Sequence, residues 1–276
     1  MNPVGLSLRD EEGELLKLGI ACGALAAVLL TGVAARADVF DLHYEAPGVQ
    51  NSTATFSQVG VETFDNLSAG MHSSFAANFG DTGITGTYSG PNGVQINSAD
   101  QYGGAGGTGN YGVAFTKDPY TLTLNHNVNY FGYWLSALDP GNVVTFYNNG
   151  VQVGQVAPDQ IAAVTSLNKA YYGNPNPNFK GQDSGEPFAF VNFYDTTGTF
   201  NEVRFSEVNS GGGYESDNHT VGLFTKMSSA STVVEAPLPL LGSSFASIVT
   251  ILVGGAFVIR RMARGTAQGA WALGLS

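Results

Sequence analysis

The middle of the chain alternates between apolar and polar residues with a period of two. Residues 120–124 show the alternation most clearly, and Val128 and Tyr130 continue it. A period of two is typical of strands that turn one face to a core, whereas an amphipathic helix repeats every 3.6 residues. The pattern therefore predicts β structure through the middle of the chain.

One pair of predicted strands is joined by a strong turn signal. Residues 143–147 and 151–153 are separated by Asn148, Asn149 and Gly150. Asn and Gly tolerate the positive φ angles that tight hairpin turns require, so the segment predicts a β-hairpin. Further strands are predicted at residues 60–67, 82–89, 93–97, 112–116, 188–194, 200–208 and 219–224.

Many short strands with Gly- and Asn-rich turns are typical of antiparallel sandwiches. We therefore predict an all-β fold, an antiparallel jelly-roll-like sandwich over residues 38–227. The one helical pattern inside it is a short stretch at residues 158–167. The polar, Ser-containing residues 228–235 that follow are predicted to be a tether.

An apolar run near the start of the chain predicts an export signal. Residues 18–35 are rich in Ala and Leu, and the small residues Ala35 and Ala37 suit cleavage, so residues 1–37 are predicted to be a signal peptide. Acidic residues outnumber basic ones before this run, which leaves a retained N-terminal membrane helix as the alternative. Cys22, the only cysteine, lies within the run, so the exported chain would rely on core packing or a metal instead of disulfides.

A second apolar run near the end of the chain predicts a membrane span. Residues 240–259 are twenty uncharged residues, and a helix of that length extends about 30 Å, the thickness of the hydrocarbon core of a bilayer. Arginines follow directly, and positive charge beside a span stays on the cytoplasmic side. The alternative is a buried core helix. Residues 265–276 form a short tail.

Three features in a fixed order mark residues 236–264: a Pro-containing motif, the apolar run and the basic cluster. The motif and cluster are Ala236, Pro237, Leu238, Pro239, Arg260, Arg261 and Arg264. The order resembles the PEP-CTERM class of bacterial sorting signals, in its Pro-Leu-Pro variant. The sequence departs from that pattern in having Glu-Ala-Pro-Leu-Pro in place of Pro-Glu-Pro, and in continuing past the arginines.

The resemblance implies a route and a role for the protein. Signal peptidase would act at the N-terminus, and the inner membrane of a Gram-negative bacterium would hold the precursor until an exosortase-like transpeptidase removes the tail. The protein would then reach the cell surface or extracellular matrix. There it would have a structural, adhesive or glycan-binding role among exopolysaccharides and would not be an enzyme. A permanently anchored single-pass protein is the alternative.

The net charge of the central segment limits the classes of partner that it can bind. Residues 38–235 contain eighteen acidic and five basic side chains, a formal net charge of −13. Nucleic acid binding is disfavoured, because neutralising phosphates needs clustered Lys and Arg. An acidic surface suits cations and neutral glycans instead.

Two acidic segments are candidates for a structural calcium site. Asp65 and Asn66 lie near the start of the domain, and Glu215, Asp217 and Asn218 lie near its end. The terminal strands of jelly rolls commonly lie close together, which would bring Asp65 and Asp217 near each other. Calcium prefers carboxylate and amide oxygens. The alternative is that these side chains cap turns and bond local backbone.

Aromatic residues and carboxylates supply the remaining candidates. Trp134, Tyr171 and Tyr172 could stack on sugar rings, with core filling as the alternative, which is favoured for Trp134. A glycoside hydrolase, the enzymatic alternative, would need two carboxylates about 5–9.5 Å apart. The candidates for these two carboxylates are Glu62, Asp65, Glu186, Glu215 and Asp217. Nothing in their spacing selects a pair, and the four histidines form no metal-binding motif.

Overall fold

The computed structural model describes residues 38–156, 168–209, 211–228 and 234–236. In these residues the regular structure consists of thirteen strands and four 3₁₀ turns, without an α-helix. The strands are β1 (Phe40–Tyr44), β2 (Thr55–Glu62), β3 (Gly70–Asn78), β4 (Thr85–Ser98), β5 (Asn110–Phe115), β6 (Tyr120–Val128), β7 (Tyr130–Ser136), β8 (Asn142–Asn148), β9 (Val151–Val156), β10 (Ala189–Asp195), β11 (Phe200–Glu207), β12 (Gly213–Lys226) and β13 (Val234–Ala236).

The prediction of an all-β, antiparallel fold is confirmed. The strands follow the order β13-β1-β10-β7-β12-β5-β4-β6-β11-β8-β9, with β2 added to β12 and β3 added to β4. The two ends of this sheet approach each other. The amide of Asp38, just before β1, donates to the carbonyl of Val153 in β9 at 3.1 Å. The sheet is therefore nearly barrel-like, and the finer jelly-roll topology stays a prediction.

The interior of the sheet is a single core that is rich in aromatic rings. Tyr120, Leu122 and Leu124 point into it from alternate positions of β6, as the period of two predicts. His219 lies among these rings, 4.9 Å from the ring of Phe205. Burial lowers the pKa of His219 to about 3, because an imidazolium loses its hydration there. His219 is thus a neutral core residue.

The predicted hairpin is confirmed, and some other boundaries move. Strands β8 and β9 pair across a turn in which Asn149 has φ 49° and Gly150 has φ 78°. The strand predicted at residues 60–67 ends at Glu62, the last residue of β2. Phe64 beyond it has φ 58°, which lies outside the β region. Trp134 lies inside β7. Strand β7 is buried on both faces, so its sequence shows no alternation.

The described parts of the predicted tether are docked on the domain. Ser228 is only 4% exposed, and its amide donates to the Tyr194 hydroxyl at 3.0 Å. His43 Nδ1 donates to the Ser228 carbonyl at 3.1 Å. Residues 234–236 add a strand to β1, with Ala236 opposite Phe40. The described residues at the two ends of the predicted tether thus contact the domain, whereas residues 229–233 lie outside the described ranges.

Several predictions concern residues outside the described ranges. These are the signal peptide at 1–37, the short helix at 158–167, the span at 240–259, the tail at 265–276 and the sorting-signal residues from Pro237 onward. Among the residues that the structure does describe, no helix is long and apolar enough to cross a membrane.

Candidate functional site

Strand β12 divides its side chains between the core and the outer face of the sheet. Tyr214 and Ser216 point inward, and the Ser216 hydroxyl lies 2.7 Å from the hydroxyl of Tyr120. Glu215 and Asp217 therefore point outward. This outer face is covered in part by loops and by a small apolar cluster around Trp134.

Asp217 anchors the loop that covers the outer face. Its Oδ2 accepts a hydrogen bond from the Ala105 amide at 2.7 Å, and its Oδ1 accepts one from the Asn218 amide at 2.6 Å. The Asn218 side chain donates to the Gln50 carbonyl at 3.0 Å. The Asn176 side chain donates to the Gly104 carbonyl at 3.0 Å, which ties a second loop to the first. The polar side chains at this place hold loops together.

The candidate calcium residues are only partly brought together. Strand β2 pairs with β12, and the pKa of Asp217 is raised to about 7, first by burial and then by charges that include Asp65. Asp65 Oδ1, however, accepts from the Asn110 amide at 2.9 Å. Glu215 faces a separate cleft. No group of three His, Cys, Asp or Glu among the described residues is arranged to hold a metal ion. The arrangement favours the turn-capping alternative for Asp217.

The outer face carries an acidic cleft with a volume of about 700 Å³. It is bounded by the loop after β4, the ends of β5 and β7, the segment before β10 and the start of β12. Its lining includes the carboxyl groups of Asp100, Asp139, Glu186 and Glu215. None of the described lining residues is basic. Four acids from distant parts of the sequence therefore share one solvent-open space.

Glycines make room for two of these acids. A Cβ atom on Gly212 would overlap the carboxyl group of Asp139, and one on Gly213 would overlap Oε1 of Glu215. Any larger residue would force these carboxyl groups to move. The Gly211–Gly213 segment thus allows both carboxyl groups to lie directly against the backbone.

Two acids of the cleft, Glu215 and Glu186, hold protons more tightly than free carboxyl groups do. Burial raises the pKa of Glu215 to about 8, and the negative charges of Asp139 and Glu186 add to the effect. Burial also raises the pKa of Glu186 to about 8, with a hydrogen bond to the Asp183 carboxyl as the next cause. Two carboxyl groups can bond in this way only if they share a proton. These raised pKa values occur in a cleft whose described lining contains no basic residue to compensate the acids.

Two exposed aromatic rings lie at the cleft. Tyr102 is 46% exposed and Phe115 is 42% exposed, and both belong to its lining. Tyr111 lies deeper, and its hydroxyl donates to Asp100 Oδ1 at 3.0 Å. Sequence reasoning missed Tyr102 and Phe115. Two signals in the sequence could have found them. Phe115 is an apolar ring at a solvent-facing position near the end of a predicted strand, and Tyr102 stands beside a glycine run.

The aromatic residues predicted to bind glycans lie elsewhere. Trp134 is fully buried, and Tyr171 is 7% exposed with its hydroxyl donating to the Glu45 carbonyl at 2.9 Å. Neither ring can stack on a sugar, because protein atoms already cover its faces. For Trp134 this confirms core filling, the favoured alternative, and for Tyr171 it corrects the prediction of an exposed ring. Tyr172 is half-buried and packs against the core from outside the cleft.

Comparisons with protein-family profiles, with curated proteins and with solved structures gave no match.

Proposed function

We propose that the chain is an exported envelope protein whose β-domain binds glycans of an exopolysaccharide matrix in the acidic cleft. The observation that supports this most directly is the pair of exposed rings, Tyr102 and Phe115, beside a row of carboxyl groups. Aromatic faces stack on sugar rings, and carboxylates accept hydrogen bonds from sugar hydroxyls. Such a site can hold a polymer, as a structural or adhesive protein must.

Affinity electrophoresis of the full chain in detergent, through gels that contain candidate polysaccharides, tests the binding. We expect retardation of the wild type, and binding about three- to tenfold weaker in Tyr102→Ala and Phe115→Ala, a loss of about 1 kcal/mol for each ring. Met71→Ala is the matched control, because Met71 is an exposed apolar side chain outside the cleft. Unretarded wild type, or an equal effect of Met71→Ala, would count against the proposal.

Export and sorting complete the proposal and rest on the resemblance of residues 236–264 to PEP-CTERM signals. Signal peptidase would remove residues 1–37, and an exosortase-like transpeptidase would cut near Ala236–Pro239. Mass spectrometry of the protein recovered from cells tests both steps. A mature chain that ends near residue 239 supports sorting, whereas an intact C-terminus supports the permanently anchored alternative.

A polysaccharide-active enzyme is the second candidate, and one observation favours it. Glu186 and Glu215 line the same cleft and have pKa values raised to about 8. Glycosidases use a carboxylic acid of raised pKa to protonate the leaving group. Incubation with polysaccharides and detection of new reducing ends separates the two candidates. Turnover that Glu215→Gln abolishes would establish the enzyme, whereas binding without turnover supports the binding module.

A further inference from the structure

The negative charge of the cleft has no counterpart in the residues that line it. Asp100, Asp139, Glu186 and Glu215 face the space, and the nearby carboxyl group of Asp183 raises the pKa of Glu186 further. Among these described lining residues there is no Lys, Arg or His. Carboxylates crowded in this way repel one another, so a positively charged group that enters the cleft gains favourable energy from several of them.

Glu215 provides an independent indication that a ligand is missing. Its side chain is only 9% exposed, yet it lines the cleft. Within the described part of the chain, its one hydrogen bond is with its own amide. A buried carboxyl group that no other residue hydrogen-bonds is costly, and a ligand that donates hydrogen bonds and carries positive charge reduces that cost. Because its pKa is raised to about 8, Glu215 is protonated at pH 6 when no ligand is bound. A cationic donor that enters the cleft displaces this proton and pairs with the carboxylate that remains.

The geometry favours an organic ammonium over a metal ion. No three His, Cys, Asp or Glu of the described residues converge as metal ligands do. The acids are spread around about 700 Å³, a space in which a sugar ring fits. Tyr102 and Phe115 add exposed aromatic faces, which attract ammonium groups. Asn97 and Thr116 offer hydrogen bonds to hydroxyl groups.

We propose that the cleft selects glycans that carry free amino groups, such as polymers of de-N-acetylated hexosamine, and places an ammonium group against Glu215 and Glu186. This inference rests on the proposed glycan binding and names its substrate class. Acetylation of the amine removes both the charge and two of its donors, so the N-acetylated form of the same polymer loses the interaction.

Isothermal titration calorimetry at pH 6 with the full chain in detergent tests the selectivity. The probes are glucosamine oligomers, N-acetylglucosamine oligomers and β-1,4-glucose oligomers of one length, with oligolysine as a cation that is not a sugar. We expect the amino form to bind at least tenfold more tightly than the N-acetyl form. In Glu215→Gln the ratio of the two affinities should fall toward one. Asp81→Asn removes an exposed acid outside the cleft and should keep the wild-type ratio.

The outcomes separate this inference from the proposed function. Equal binding of the amino and N-acetyl forms, or an unchanged ratio in Glu215→Gln, overturns the selectivity and leaves glycan binding standing. Oligolysine that binds as tightly as the amino sugar also overturns it, because the cleft would then attract any cation. Absence of binding to all sugars overturns both proposals. Glu186→Gln gives a second measurement of the ratio if Glu215→Gln does not fold.

Discussion

The buried carboxyl group of Glu215 makes the folded protein less stable as the pH rises. Its pKa is raised from the usual 4.5 to about 8, mainly by burial. Between these two values the folded state keeps a proton that the unfolded state releases. The contribution to stability is therefore fully present below about pH 4.5 and is lost as the pH approaches 8. Carboxylates with lowered pKa values have the opposite dependence.

The size of this effect follows from the two pKa values. Each unit of pH between the unfolded and folded pKa costs about 1.4 kcal/mol, so at pH 7 the cost is about 3 kcal/mol. Glutamine has nearly the same shape and carries no charge in either state. We therefore expect Glu215→Gln to be about 3 kcal/mol more stable than wild type at pH 7 and about equal to it near pH 4.5.

Urea unfolding curves at pH 4.5, 7 and 8.5 measure the difference. At equal slope, a shift of the midpoint gives the change in the free energy of unfolding. Asp81→Asn is the control, because the Asp81 side chain is exposed, and its curves should follow wild type at each pH. A gain in Glu215→Gln that is the same at all three pH values, or a loss at pH 7, would refute the argument from burial.

Three further predictions concern the core, the glycines and calcium. NMR of the His219 ring should show a neutral imidazole down to about pH 4, because burial lowers its pKa to about 3; a charged ring at pH 6 would contradict this. Gly213→Ala should lower the free energy of unfolding by about 1–3 kcal/mol, because its methyl group meets the Glu215 carboxyl, whereas Gly185→Ala, whose methyl group meets no atom within 4 Å, should not. The melting temperature should be equal in calcium and in chelator, because both Asp217 oxygens accept backbone hydrogen bonds; a rise in calcium would restore the calcium site.

Alternation along the chain was enough to predict the fold class, but it is absent where strands are buried on both faces, and β10 was predicted at residues 188–194 without it. The residues of β6 point inward at every second position, so their pattern predicts a strand. Strands β7 and β10 have the core on one side and the loops or the Trp134 cluster on the other, so both sets of positions are buried. A period cannot be seen in such a segment, although its apolar composition still indicates burial.

The cleft could not be predicted from local sequence, because its parts meet only through the order of strands in the sheet. Glu215 stood among the candidates only as a member of the calcium set, in which Asp65 and Asp217 were the pair expected to lie close together. Its neighbours in space are Asp139, after β7, and Glu186, before β10. Strand β12 lies between β7 and β5, and that placement decides which acids meet.

The pairing of β13 with β1 has a mechanical consequence. The two strands are antiparallel, with Phe40 opposite Ala236 and Leu42 opposite Val234, so the chain enters the domain and leaves it at the same end of the pair. Tension applied between these two points loads the hydrogen bonds of the pair sequentially from that end, and not simultaneously. Force transmitted through the segments that flank the domain is therefore resisted first by the three residue pairs between β1 and β13. Strand β13 can separate from β1 while the rest of the domain, with its cleft, stays folded.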